Sequence, residues 1–209
     1  IQERTRILAA MSHDLKTPIT RLRLRAELLE DDDLRAKFAK DLEEMECMVA
    51  ATLDFMRGVD NPEPVQPMDI MALLESLQAD AAEIGQQVSL EGIAARPYPC
   101  KPAALKRCLG NLIDNAVKYG KSATIIVDDH DKQLQIHILD NGQGIPEAEL
   151  ERVFEPFYRL ESSRSRDTGG TGLGLGIARN IAQMHGGDLL LRNRSCGGLE
   201  AILTLPRRS

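Results

Sequence analysis

Tryptophan is absent from the 209-residue chain, and aromatic residues of all kinds make up 3 % of it. A core must therefore be assembled from Leu, Ile, Val, Met and Ala. No apolar run is long enough to span a membrane and no signal peptide opens the chain, so this segment is expected to make no direct membrane contact. The four cysteines, Cys47, Cys100, Cys108 and Cys196, lack metal-ligand spacing. Reduced thiols in a cytoplasmic compartment are the simplest reading. Positive charge is in deficit: the formal net charge is −6, which argues against a broad nucleic-acid-binding surface. What is present is a 43 % hydrophobic content, enough for one or two domains with a real core. The chain begins at Ile1 inside a helical pattern and is read as a piece of something longer.

Two halves differ in periodicity. In the first, Leu8, Leu15, Leu22 and Leu29 recur every seven residues, with Ser12, Ile19 and Ala26 interleaved. That stripe belongs to a bundle helix. The run Glu30–Asp33 interrupts it and offers N-caps for a second helix. There Phe38, Leu42, Met45, Val49, Thr52 and Met56 alternate by four and three. A hairpin of two such helices cannot bury both stripes by itself. Two hairpins in a four-helix bundle can, which implies a homodimer.

Gly58 closes the second helix, and VDNPEPVQP, with its three prolines, marks a linker. The expected division is residues 1–59 for the hairpin, 60–67 for the linker and 68–209 for a second domain. Within that domain Ile70–Ile84 and Pro102–Tyr119 pattern as helices. Thr124–Asp128 and Gln133–Leu139 pattern as strands joined by a short turn. A glycine-rich section precedes a helix ending near His185, and Leu189–Arg192 with Glu200–Leu205 makes a final hairpin. Helices and strands that do not alternate strictly predict an α+β sandwich.

Five short motifs carry candidate chemistry. SHDLKTP, residues 12–18, puts His13 and Thr17 one turn apart, at about 160° and 200° from Leu15, away from the seam. Pro18 removes a helix hydrogen bond to Asp14 and predicts a kink there, at a cost of about 3 kcal/mol. On the heptapeptide alone, a surface histidine on a proline-containing helix explains as much. NLIDNAVKYG, 111–120, sets Asn111 and Asn115 on one helix face, with Lys118 and Tyr119 at its end. Asn oxygens suit Mg²⁺ or its waters, and Lys118 suits a phosphate; an amphipathic helix with two polar residues needs neither. DNGQGIP, 140–146, has an acid at a strand end followed by glycines that let backbone approach a flat ring. It is equally an ordinary turn. FEPFYR, 154–159, holds Phe154 and Phe157, either anchors of a mobile segment or core. GGTGLGLG, 169–176, opens a helix with N–H groups suited to phosphates, and its alternative is a flexible loop. ESSRSRDT, 161–168, lies between the last two, polar as a lid would be.

In this order, a His–Asp hairpin, an asparagine helix, DxGxG, FxxF and GxGLG resemble the catalytic core of bacterial sensor histidine kinases, in the EnvZ-like style. The resemblance covers essentially the whole chain. It implies a dimerisation and phosphotransfer hairpin followed by an ATP-binding α/β sandwich of the GHKL (Bergerat) type. By the same resemblance His13 is the phosphoacceptor, Asp14 the acid that orients and deprotonates it, and Thr17 the residue that places water in phosphatase action. Asn115 is the Mg²⁺ ligand, with Asn111, Lys118 and Tyr119 nearby. Asp140 reads adenine, supported by Gly142, Gly144 and Ile145. Arg159 meets phosphate, and Gly170, Thr171, Gly172, Leu173, Gly174 and Leu175 form the loop around the phosphates. ATP and Mg²⁺ are the implied cofactors. A homodimer and the receiver domain of a cognate response regulator are the implied partners. The implied setting is the cytoplasmic portion of an inner-membrane protein. One departure is Gly176, where relatives carry a small residue such as Ala; it is expected to loosen the helix start by roughly 1 kcal/mol.

Overall fold

The computed structural model describes residues 17–58, 63–160 and 171–207. A helix α1, described over 17–26, packs beside α2, Asp32–Gly58. Asp31 is the N-cap of α2: its Oδ1 accepts the Leu34 N–H at 3.0 Å. Ile19, Ala26 and Leu42 are buried between the helices, with Leu29 and Val49 against them. Arg23 donates to Glu46 across the pair at 2.8 Å. Among the described stripe residues, Leu22, Phe38 and Met45 remain 45 %, 46 % and 43 % exposed. Thr17 is exposed, as its angle predicts, and Pro18 is half-buried in α1. His13 and Asp14 lie outside the described residues.

The second unit is a helix layer on a mixed sheet. A small ladder joins β1, Gln66–Met68, antiparallel to β3, Tyr98–Cys100. Gln66 and Pro67, expected in the linker, thus belong to a strand. The main sheet runs β2 (Gln87–Ile93), β4 (Ser122–Asp129), β5 (Gln133–Asp140), β7 (Leu199–Pro206), β6 (Asp188–Asn193). Its β2–β4 pair is parallel and the other pairs are antiparallel. Helices α3 (Ile70–Glu83), α4 (Pro102–Gly120) and α5 (Gly174–Met184) supply the other layer. The α+β sandwich is therefore observed, with three strands, β1 to β3, that the periodicity did not reveal.

Alternation builds the core. Ala123, Ile125 and Val127 of β4 and Leu134, Ile136 and Ile138 of β5 face the helices and are buried. From α4 come Leu105, Leu109 and Leu112, each at most 2 % exposed. A buried leucine of this kind contributes about 1.5–3 kcal/mol. On the opposite sheet face the buried Glu200 is satisfied by His137 Nδ1, 2.7 Å away, and by Arg192. Burial raises the Glu200 pKa, but the hydrogen bonds and charges of Arg192 and His137 outweigh it and hold the group below its usual value.

Candidate functional site

The parity that buries Leu134, Ile136 and Ile138 delivers Asp140 to the same face, at the end of β5 and beside the C-terminal turn of α4. Asp140 is buried, and its Oδ1 accepts N–H bonds from Gly142 at 2.7 Å and Leu199 at 3.1 Å. Two glycines make this approach feasible. A Cβ on Gly120 would stand 2.5 Å from Asp140 Cβ, and one on Gly142 2.8 Å from the Tyr119 carbonyl oxygen. Neither position has room for a side chain.

In front of Asp140 lies a cavity of about 470 Å³, within the range of small-molecule sites. α4 contributes Asn111, Asn115, Lys118 and Tyr119, spaced so that one helix face looks into it. The turn after β5 contributes Asp140, Gly142, Gly144 and Ile145, and the far wall holds Arg159, Thr171, Gly172, Gly174 and Leu175. Sequence motifs separated by up to 64 residues thus meet around one hollow. Leu173 does not line it: its side chain is 1 % exposed, in the core beneath the loop. Gly170 lies outside the described residues.

The wall after β5 is pinned by a residue the motifs did not flag. Asn193, at the end of β6, accepts the Ile145 N–H at 2.9 Å and donates to the Ile145 carbonyl at 2.7 Å. A Cβ on Gly144, whose φ is +73°, would lie 2.5 Å from that Asn193 oxygen. Sequence alone gave no signal for Asn193, because its partners are backbone atoms of a distant turn. Leu199, Tyr158 and Asp114 also line the cavity and were not singled out.

Phe154 and Phe157 part company. Phe154 is buried under Arg179, whose guanidinium sits 4.3 Å from the ring centroid. Phe157 is 57 % exposed at a φ of +65°, and its N–H donates to the Gly172 carbonyl at 3.1 Å. Only one of the pair anchors. Gly176 also reads differently in the structure: its Cβ would stand 2.7 Å from the Phe154 carbonyl oxygen. The glycine permits close packing of α5 against that segment, a benefit set against its poor helix propensity.

The cavity lining carries two cations, Lys118 and Arg159, and two carboxyls, Asp114 and Asp140. The Lys118 pKa is lowered, first by burial and then by the charge of Arg159. Two cations facing one hollow are relieved by negative charge brought between them. The Asn111 amide nitrogen is buried and has no hydrogen-bond partner among the described residues, which suits it to donate to a bound molecule. Burial raises the Asp114 carboxyl above its usual value. Among the described residues no three His, Cys, Asp or Glu side chains cluster as a metal site. A cation here would need oxygens from its ligand as well as from Asn115. The hollow, the buried Asn111 donor, the glycines and the two cations fit a nucleoside triphosphate.

Comparison with known proteins bears on the whole arrangement. Residues 100–209 match the family described as histidine kinase-, DNA gyrase B-, and HSP90-like ATPase, and residues 3–55 match the His Kinase A (phospho-acceptor) domain. The chain belongs to the sensor histidine kinases. It is 49 % identical over 207 residues to sensor histidine kinase GtrS of Pseudomonas aeruginosa, covering 99 % of this chain and 43 % of that protein. It is 30 % identical over 216 residues to sensor histidine kinase CpxA of Escherichia coli, covering 96 % and 46 %. The chain thus spans less than half the length of these relatives. Among solved structures, the ATP-binding domain of PrrB from Mycobacterium tuberculosis aligns at TM-score 0.56 and 34 % identity, over 69 % of this chain and 98 % of that one. Full-length ShkA in complex with AMPPNP shares the fold at TM-score 0.73 and 23 % identity, over 96 % of this chain and 45 % of that one. Among the described residues no helix is long and apolar enough to cross a membrane.

Proposed function

We propose that this chain transfers the γ-phosphoryl group of ATP to His13 and then to an aspartate of a response-regulator receiver domain. The observation that carries the reading is the hollow before Asp140. There a hollow of about 470 Å³ is lined by the buried Asp140 carboxylate, by Lys118 and Arg159, and by Asn111, whose amide nitrogen has no partner among the described residues. Asp140 accepts from the adenine amine, and Gly142 and Gly144 let the ring approach backbone. Lys118 and Arg159 meet the phosphates, with the loop from Thr171 to Leu175, including the Gly172 backbone, closing on them. Asn115 is the residue that would hold Mg²⁺, which when bound supplies neutralisation of phosphate charge.

On the hairpin, Asp14 holds the Nδ1–H of His13 and leaves Nε2 as the nucleophile. Nε2 forms a bond to the γ-phosphorus while the bond from phosphorus to the β-phosphate oxygen breaks, and ADP leaves. The proton on the resulting imidazolium passes to Asp14. Near neutral pH an ordinary histidine is mostly uncharged and so available for attack. The half-exposed Leu22, Phe38 and Met45 support pairing of two hairpins into a homodimer. Thr17 places water for removal of phosphate from the regulator. The setting of this chemistry is the cytoplasmic side of a longer membrane protein.

One observation favours a second reading. Asp114 is an acid on the cavity face of α4, where it could activate water for simple ATP hydrolysis. His13→Ala separates the two. The phosphotransfer reading requires that the variant bind nucleotide as the parent does, yet carry no phosphoryl label and pass none to receiver domains. Unchanged phosphate release by the variant at the parent's rate would support hydrolysis instead.

A further inference from the structure

The N-terminus of α4 is held by groups from outside the helix. Pro102 at the first position has no N–H, and Lys101, the N-cap, makes no side-chain capping bond. The Lys101 N–H is taken by His185 Nε2 at 3.0 Å. The next two donors, Ala103 N–H and Ala104 N–H, are taken by one carboxylate: Glu63 Oε1 at 2.7 Å and Oε2 at 3.2 Å. Leu105 then makes the first bond within the helix, to the Lys101 carbonyl at 2.9 Å. Every donor of the first turn is therefore accounted for, two of them by a residue 40 positions earlier that belongs to the proline-rich linker. A carboxylate at a helix N-terminus also meets the positive end of the helix dipole. The charge of Glu63 adds to burial in raising Cys100 to about 11.

We propose that Glu63 is a positioning residue: it latches the linker onto α4 and thereby sets the reach of the nucleotide site toward the hairpin. The inference rests on the reading that His13 is phosphorylated by ATP bound at α4. With the latch closed, residues 59–62 alone connect α2, which ends at Gly58, to the fixed point at Glu63. With it open, the connection extends to β1 at Gln66. The three added residues lengthen it by up to about 10 Å. A longer tether lowers the effective concentration of one site at the other. The latched turn is also only about 12 Å along the helix from Asn111, so the linker and the nucleotide residues share one rigid element.

The test compares Glu63→Ala and Glu63→Gln with the parent in the full chain. Three quantities are read: amide hydrogen exchange at Ala103 and Ala104, affinity for a fluorescent ATP analogue, and kcat and KM of autophosphorylation. Glu63→Ala is expected to speed exchange at both amides about tenfold or more, the signature of a lost hydrogen bond. Nucleotide affinity and KM are expected to stay unchanged, while kcat falls about twofold as the tether lengthens from residues 59–62 to residues 59–65. Glu63→Gln keeps one of the two acceptors and sets its NH₂ group against the other N–H, so its exchange rates and kcat are expected to fall between those of the parent and of Glu63→Ala. Unchanged exchange would overturn the latch. Faster exchange with an unchanged kcat would reduce Glu63 to a helix cap and overturn its positioning role, as would a parallel loss of affinity and kcat. A parent chain that forms no phosphohistidine would instead overturn the reading beneath it, and the exchange result would still report on the contact itself.

Discussion

Replacing Asp140 by Asn and by Ala separates what this carboxylate does for the fold from what it does for a ligand. Oδ1 holds Gly142 N–H at 2.7 Å and Leu199 N–H at 3.1 Å, in a site 5 % exposed. An asparagine must orient its amide oxygen toward these two donors, because the reverse would set NH₂ against N–H. Both backbone bonds then survive, and the NH₂ group occupies the place of the second oxygen, the acceptor assigned to adenine. Donor now faces donor. Loss of a hydrogen bond to a charged group is worth about 1.5–3 kcal/mol, so ATP affinity should fall roughly 10- to 150-fold. Unfolding stability should change by less than about 1 kcal/mol, since no buried donor is orphaned. Alanine instead orphans the buried Leu199 N–H and the half-buried Gly142 N–H, and should lower stability by about 1–3 kcal/mol or more as well as abolishing binding. Isothermal titration with an ATP analogue and urea unfolding of the same preparations give both numbers. Normal ATP affinity in Asp140→Asn would refute the adenine assignment. Equal destabilisation by Asn and Ala would refute the hydrogen-bond assignment.

Three further outcomes are expected. Thr17→Ala should keep autophosphorylation within about twofold, because Ala is the better helix former, and lose most phosphatase activity toward the regulator; equal loss of the two rates contradicts the division. Gly176→Ala should destabilise the chain by roughly 1–3 kcal/mol in urea, since its new methyl would overlap the Phe154 carbonyl oxygen, despite the gain of about 1 kcal/mol in helix propensity. Arg207→Met should raise the pH midpoint of acid unfolding. Burial raises the Asp129 pKa, but the hydrogen bond and charge of Arg207, aided by Ala95 N–H and Arg96, hold it below its ordinary 3.8. Such a group stabilises the fold above the unfolded pKa, and that contribution is lost as pH falls through the lower folded value. Removing Arg207 takes the contribution away, and an unmoved midpoint would show that the pair carries none.

Much of the site was legible because its motifs are local. The 3.6-residue period of α4 puts Asn111, Asn115 and Lys118 on one face, and the alternation of β5 puts Asp140 on the helix side. What escaped the sequence depends on tertiary contact. Asn193 grips backbone atoms 48 residues away, and Glu63 caps a helix from inside an apparent linker. β2 has mostly exposed positions along its length, so no buried alternation announced it. Phe157 shares a motif with Phe154, yet its positive φ turns it outward, and spacing alone does not report a backbone angle. Gly176 is a weakness by helix propensity alone, and the Phe154 carbonyl beside it, a tertiary contact, leaves no room for a larger residue.

The central claim is that this chain phosphorylates itself on His13. Its most direct measurement is incubation of the parent chain with γ-labelled ATP and Mg²⁺, followed by acid and alkali treatment and mapping of the labelled peptide. Phosphohistidine is labile in acid and stable in alkali, so the account predicts a label that acid removes, alkali spares and the peptide containing His13 carries. Release of inorganic phosphate with no labelled protein, or an acid-stable label on another residue, would contradict it.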